Sequence, residues 1–238
     1  MARLNESRTS ALLTEPFAAA FSYSAAATPH AEHATMIFIG IDADVVVGLA
    51  RGRILIVPPG TPYSAHCPGP IATYYFDPEM WPRIAGFAKS GGIRTMDNRH
   101  AGGVLANRAA LVRPDVLAGV GSELARSFST GEPQRLDRRI ARLIEELRDP
   151  QADRSAALAR VRVSPAHLQA LFVRDIGLPI RTYGLWRRLL HAIGHVGPLD
   201  LTASAHAAGF ADLAHFSRTC RRMLGYSPNE FRLNLVRG

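Results

Sequence analysis

The sequence predicts an α+β chain of two domains: a small β-barrel with trailing helices, then an all-α half containing two helix-turn-helix units. Three observations carry this prediction. Short β-like runs broken by turn residues fill residues 35–76, while helical spacing takes over from Pro114. The stretch LTASAHAAGFADLAHFSRTCRRMLGYSPNEFR, Leu201 to Arg232, reads as a short helix, a turn through Gly209 and a longer helix. The charge is also divided: residues 133–238 hold 17 basic against 9 acidic side chains, whereas residues 1–132 hold 11 of each. The domain boundaries drawn from this are 1–132 and 133–238.

The chain has 238 residues, 47% of them hydrophobic and 20% charged, enough for one large or two modest cores. No run of eighteen apolar residues suggests a membrane span, and MARLNESRTS does not read as a secretory signal. Cys67 and Cys220 are far apart, which argues against a disulfide framework or a thiol metal site. A cytoplasmic location is expected.

Residues 1–35 are rich in Ala, Ser and Thr and read as a poorly ordered lead-in, with Glu15 to Ala20 as a short helix or strand. Strands are expected at Thr35–Ile41, Asp44–Leu49, Arg53–Val57 and Ile71–Phe76, with a turn cluster at Pro58-Pro59-Gly60-Thr61-Pro62. Several short strands with frequent turns suggest a sandwich or barrel. Asp77 to about Gly103 reads as loop, broken by prolines and glycines. Pro114–Phe128 and Gln134–Leu147 carry helical apolar stripes; Ser129-Thr130-Gly131-Glu132-Pro133 is the expected break between halves.

In the second half, Asp153–Arg160 and the helix opened by Ser164-Pro165 form a first helix-turn-helix, ending at Gly177. Pro179 opens a connecting helix. Asp200 and Thr202 are candidate caps for the helix Leu201–Ala207, and Asp212 for the helix running to Leu224. Gly225 suits a left-handed C-terminal residue, and Ser227-Pro228-Asn229-Glu230 has the form of a capping box. Leu168, Leu171 and Phe172 should face inward in the first recognition helix, and Phe210, Phe216 and Cys220 in the second unit. That leaves Ala166, His167, Gln169, Ala170 and Val173, then Leu213, Ala214, Ser217 and Arg218, facing out. The basic excess fits a phosphate backbone partner, or else a solvated basic surface.

Ala205, Gly209-Phe210, Phe216-Ser217-Arg218, Arg221-Arg222, Gly225, Pro228 and Phe231-Arg232 fall in register with the second helix-turn-helix of the AraC/XylS family of bacterial transcription regulators, which this stretch resembles. Cys220 departs from the phenylalanine usual there. Leu168, Leu171-Phe172, Gly177, Tyr183, Arg188, Leu189 and Ala192 extend the resemblance to about 100 residues. The resemblance implies a non-enzymatic, sequence-specific regulator of double-stranded DNA, with Ala166, Gln169 and Ala170 as base readers in the first unit. Gln169 can pair with adenine, Arg218 can fork to guanine, and Leu213 can pack on a thymine methyl beside Ala214 and Ser217. Arg181, Arg187, Arg188, Arg221 and Arg222 suit phosphate contacts; an internal ion pair is an equal alternative for Arg188.

GRILIVPPGTPYSAH resembles the cupin-like sensor domains that precede the DNA-binding half in many such regulators. This implies a barrel holding a small-molecule effector, with Tyr63, His66, Tyr74 and Phe76 as candidate lining and Tyr75 on the opposite face. It also implies a homodimer paired through the helices after the barrel, and contact with RNA polymerase if the protein is an activator. His30, Glu32, His33 and His66 are the metal candidates, but Tyr63 stands where a metal cupin has histidine, and His30 and His33 point to opposite faces of a strand. No metal and no cofactor are expected. The alternatives are a constitutive DNA-binding dimer without an effector and, behind it, a metal-dependent cupin enzyme.

Overall fold

A computed structural model describes residues 10–13, 17–31, 33–84, 92–96, 102, 104–130, 136–149, 152–196, 199–224 and 227–229. The chain divides into two compact units, residues 1–134 (with 234–238) and 135–233.

The first unit is built on β1 (Ser10–Leu13), β2 (Phe17–Ser22), β3 (Ala25–Ala31), β4 (Thr35–Gly40), β5 (Val45–Val47), β6 (Ala50–Gly52), β7 (Ile54–Val57), β8 (Pro62–Cys67), β9 (Ile71–Phe76) and β10 (Arg94–Thr95). They form a six-stranded sheet, β1-β2-β9-β4-β7-β10, and a four-stranded sheet, β3-β8-β5-β6. Among the described residues the ladders form these two separate sheets, so the expected barrel narrows to two open sheets.

Residues 10–31 correct the expectation of a poorly ordered lead-in, because three strands lie there. The signal was weak because alanine has low β propensity. What holds β2 is a six-residue antiparallel ladder with β9, from Phe17 opposite Phe76 to Ser22 opposite Ile71. Its inward side chains, Phe17, Ala19 and Phe21, alternate with half-buried ones. The expected loop after Asp77 likewise contains a 3-10 turn at Pro78–Met80, helix α1 (Trp81–Ile84) and β10.

The large sheet is buried on both faces. Register puts Ile37, Ile56 and Tyr74 on one face, and Met36 with Val57 and Phe38 with Leu55 on the other. The first face packs under α2 (Pro114–Thr130) through Leu117, Val120, Leu124 and Phe128, in one apolar core with Phe17, Phe21 and Phe76. Gly121 lets α2 come close to Phe17, where a Cβ would collide with the ring. The second face meets the smaller sheet: the Phe38 and Tyr63 rings are 5.6 Å apart, edge to face.

The second unit is helical: α3 (Arg138–Arg148), α4 (Arg154–Arg160), α5 (Pro165–Ile176), α6 (Ile180–His195), α7 (Leu201–Ala207) and α8 (Leu213–Leu224). The Ile140, Leu143, Ile144 and Leu147 stripe of α3 is buried with Leu168, Leu171, Phe172 and Ile176 of α5 and Tyr183 of α6. Both helical stripes are core, that of α2 against the sheet and that of α3 against α5 and α6.

Candidate nucleic-acid interface

The first helix-turn-helix is α4 and α5. Asp153 caps α4 by accepting from the Ser155 and Ala156 amides at 2.9 and 3.1 Å. The turn passes through Arg162 at φ 52°, the left-handed region that glycine favours. Ser164 then caps α5, with Pro165 at its first position, and Gly177 ends it at φ 81° while donating its amide to Val173 at 2.8 Å.

The second unit, α7 and α8, repeats this plan with different residues. Asp200 accepts from the Thr202 and Ala203 amides at 2.8 Å each, which gives Asp200 and not Thr202 the cap. Gly209 makes the turn at φ 73°, and the Phe210 amide donates to the Ala205 carbonyl at 3.0 Å. Asp212 caps α8 by accepting from His215 at 2.6 Å. Phe210 packs on Phe216 with ring centres 5.2 Å apart, beside buried Ala205, Cys220 and Met223. Cys220 replaces an aromatic without opening the site, being 2% exposed, and burial pushes its thiol up to about 12. Gly225, Glu230, Phe231 and Arg232 lie outside the described residues.

The inward residues expected in α5 and α8 are buried, and the outward ones form a face on each helix. On α5, Ala166, His167, Ala170 and Val173 are exposed and Gln169 is half-buried. On α8, Ala214, Arg218, Arg221 and Arg222 are exposed, with Leu213 and Ser217 half-buried. Helix α6 packs against α3 and α5 on one side of the unit and against α7 and α8 on the other, so it braces the two pairs. Arg181 is exposed on it and Arg188 half-buried. Among the described residues no ion pair forms at Arg188.

One basic residue escaped the sequence reading. Arg154, first in α4, reaches across to α6 and donates from Nη2 to the Ile180 carbonyl at 2.9 Å. Burial, then the charges of Arg188 and Arg181, hold its guanidinium below the ordinary arginine range. Its seat is Gly184, thirty residues away in sequence, so no local pattern marks it. All 17 cations of residues 133–238 are arginines, side chains suited to forked contacts with phosphate.

The four effector candidates are not brought together. Tyr63 lies between the sheets, while His66 projects to solvent from the same strand. Tyr74 and Phe76 face α2 instead: the Tyr74 hydroxyl donates to the Leu117 carbonyl at 3.0 Å, and Phe76 meets Phe128 at 5.6 Å. Burial pushes the Tyr74 phenol well above its ordinary value. Sequence alternation pairs Tyr74 with Phe76 correctly, but does not say that this face belongs to a helix. The face toward the other sheet carries Met36, Phe38, Leu55 and Val57 from the large sheet. Of the metal candidates, Glu32 and the His30 side chain lie outside the described residues. Elsewhere no group of three metal-binding side chains occurs among the described residues. No described helix is long and apolar enough to cross a membrane.

Comparison with known proteins bears on both units. Residues 157–234 match a helix-turn-helix domain family. The HTH-type transcriptional regulator GlxA of Rhizobium meliloti is 30% identical, over 65% of this chain and 53% of that protein, so the chain spans about half the length of this curated relative. Among solved structures, an apo single-residue variant of ToxT from Vibrio cholerae aligns at TM-score 0.55 and 12% identity, over 93% of this chain and 98% of that one. Wild-type ToxT from Vibrio cholerae with bound unsaturated fatty acid aligns at TM-score 0.54 and 11% identity, over 94% and 97%. These two share the fold: an N-terminal sheet unit and a C-terminal helical unit. The helix-turn-helix match and this regulator relative support the resemblance of the C-terminal unit to the AraC/XylS family.

Proposed function

We propose that the chain is a sequence-specific DNA-binding transcription regulator and not an enzyme, with α5 and α8 as recognition helices entering neighbouring major-groove segments roughly one helical turn apart. The observation that carries this is the pair of capped helix-turn-helices, each presenting an exposed helix face, in a unit whose net charge is entirely arginine-borne. Gln169, Arg218 and Leu213 read base edges, with Ala166, Ala170, Ala214 and Ser217 setting close approach. Arg181, Arg188, Arg221 and Arg222 hold phosphates. Small residues on both faces leave part of the selectivity to DNA shape.

The wider reading gives the first unit a small-molecule effector, makes the regulator a cytoplasmic homodimer, and adds contact with RNA polymerase if it activates. The effector is supported by the fatty-acid complex of ToxT, which shares the fold. It would enter between the two sheets, beside Tyr63 and Phe38. The cupin-like barrel belongs to this reading too, as a more closed form of the two sheets.

Capture of genomic DNA by the purified full chain, with a salt titration on the best site, is the test. Paired half-segments and affinity falling steeply with salt are expected. Absence of any enriched motif, with or without candidate carboxylic acids, would sink the reading.

A further inference from the structure

We propose that Arg154, Arg181 and Arg188 form a three-guanidinium clamp for one backbone phosphate of bound DNA, a site that rests on the DNA-binding reading above and adds a residue to it. Arg181, Gly184 and Arg188 lie on one stripe of α6, at spacings of three and four residues. Arg154 crosses from α4 onto the middle of that stripe. A Cβ at Gly184 would lie 2.5 Å from its Nη1 and 2.8 Å from its Nη2, so only glycine leaves room for the guanidinium. The bond to the Ile180 carbonyl anchors one end of the fork.

What makes this a site and not simply a brace is the missing counter-charge. None of the three arginines has an ion pair among the described residues, and the charges acting on Arg154 are those of its two arginine neighbours. Like charges gathered on a half-buried seat repel, and an external anion relieves that repulsion. Guanidiniums offer planar, forked donors that match phosphate oxygens. The position also fits a backbone contact, since the first helix of a helix-turn-helix crosses the DNA backbone.

The test measures log affinity against log salt for the full chain on its best site and on random DNA. Arg154→Gln removes the charge, and its shorter amide also gives up the bond that Nη2 makes to the Ile180 carbonyl. It should make the slope shallower, by at most about 0.9 for the single phosphate held, and weaken both DNAs by the same factor. Gly184→Ala keeps every charge but unseats the guanidinium, and should weaken both DNAs in the same direction. A lower Tm for Arg154→Gln with an unchanged slope would overturn the clamp and leave Arg154 a brace. So would an Arg154-dependent rise in Tm with inorganic phosphate alone while the DNA slope stays unchanged, which would mean a free-anion site. If the parent protein binds neither DNA, the DNA-binding reading itself fails, an outcome separate from these.

Discussion

The two helix-turn-helices share a plan, and even Ala166 and Ala214 at matching positions, but differ where Gln169 and Ala170 of the first stand opposite Ser217 and Arg218 of the second. In the first, the recognition face is small and mostly uncharged, with Ala166, Ala170 and Val173 around Gln169. In the second, Arg218, Arg221 and Arg222 line an exposed stretch of α8. Their supports differ as well. The first shares a core with α3, whereas the second closes through the Phe210–Phe216 pair and its packing on α6. Fold and readout are thus separable: apolar positions repeat because both units need the same geometry, while the outward positions are free to diverge.

The largest expected effect strikes the cores. Phe172 and Phe216 are both fully buried, and truncating either to alanine should cost about 3–5 kcal/mol. Phe216→Ala should open α7 and α8 while leaving α3 to α5 protected, as read by hydrogen exchange. Cys220 gives a second readout. Its thiol, pushed up to about 12, should resist thiol reagents at neutral pH in the parent and react in Phe216→Ala. Equal loss of protection across both units would show that they open as one.

Next comes readout. Arg218→Ala should cost about 1–3 kcal/mol on the specific site and relax selectivity at one base pair. Gln169→Ala should do the same at a different base pair in the other half-segment. Equal losses on specific and random DNA would make either residue a phosphate contact and erase the proposed division between reading and holding.

Much of this second unit is legible in the sequence because its signals are local. Asp153, Ser164, Asp200 and Asp212 each cap a helix within three residues, and Gly177 and Gly209 sit where the backbone turns left-handed. What escaped depends on distant partners. The strands of residues 10–31 exist because β9 and β8 pair with them, and Tyr74 is turned to α2 by its bond to the Leu117 carbonyl. Arg154 looks like an ordinary first-turn arginine until Gly184 makes room for it.

The turns give a smaller, opposed pair of effects. Arg162 holds a left-handed backbone that costs a side-chain-bearing residue about 1–2 kcal/mol, where the second unit uses Gly209. Gly209→Ala has open space for its Cβ, so it should lose about 1 kcal/mol from backbone strain alone. Arg162→Gly should gain somewhat less than its released strain, because glycine also loosens the unfolded chain. Thermal melts of the two variants should shift in opposite directions; a fall in both would mean that Arg162 is held by more than its backbone.

The smallest effect concerns the acids at helix starts. Asp137 caps α3, accepting from the Arg139 amide at 2.9 Å, and also receives the Arg139 guanidinium at 2.9 and 2.7 Å. The Arg139 side chain, then its amide, hold this carboxyl well below the usual carboxylate range. A folded pKa below the unfolded one stabilises the protein above the ordinary carboxylate pKa, and that contribution is lost as pH falls through the folded value. Asp200 and Asp212, the caps of the second unit, have no ion pair among the described residues. Asp137→Asn keeps the cap, because asparagine serves nearly as well there, and removes the charge. Its Tm should lie slightly below the parent's at pH 7 and converge with it in strong acid. Salt should shrink the gap, since the arginine partner is 42% exposed. A gap that persists unchanged into acid would assign the loss to cap geometry and leave the two units alike in their acid response.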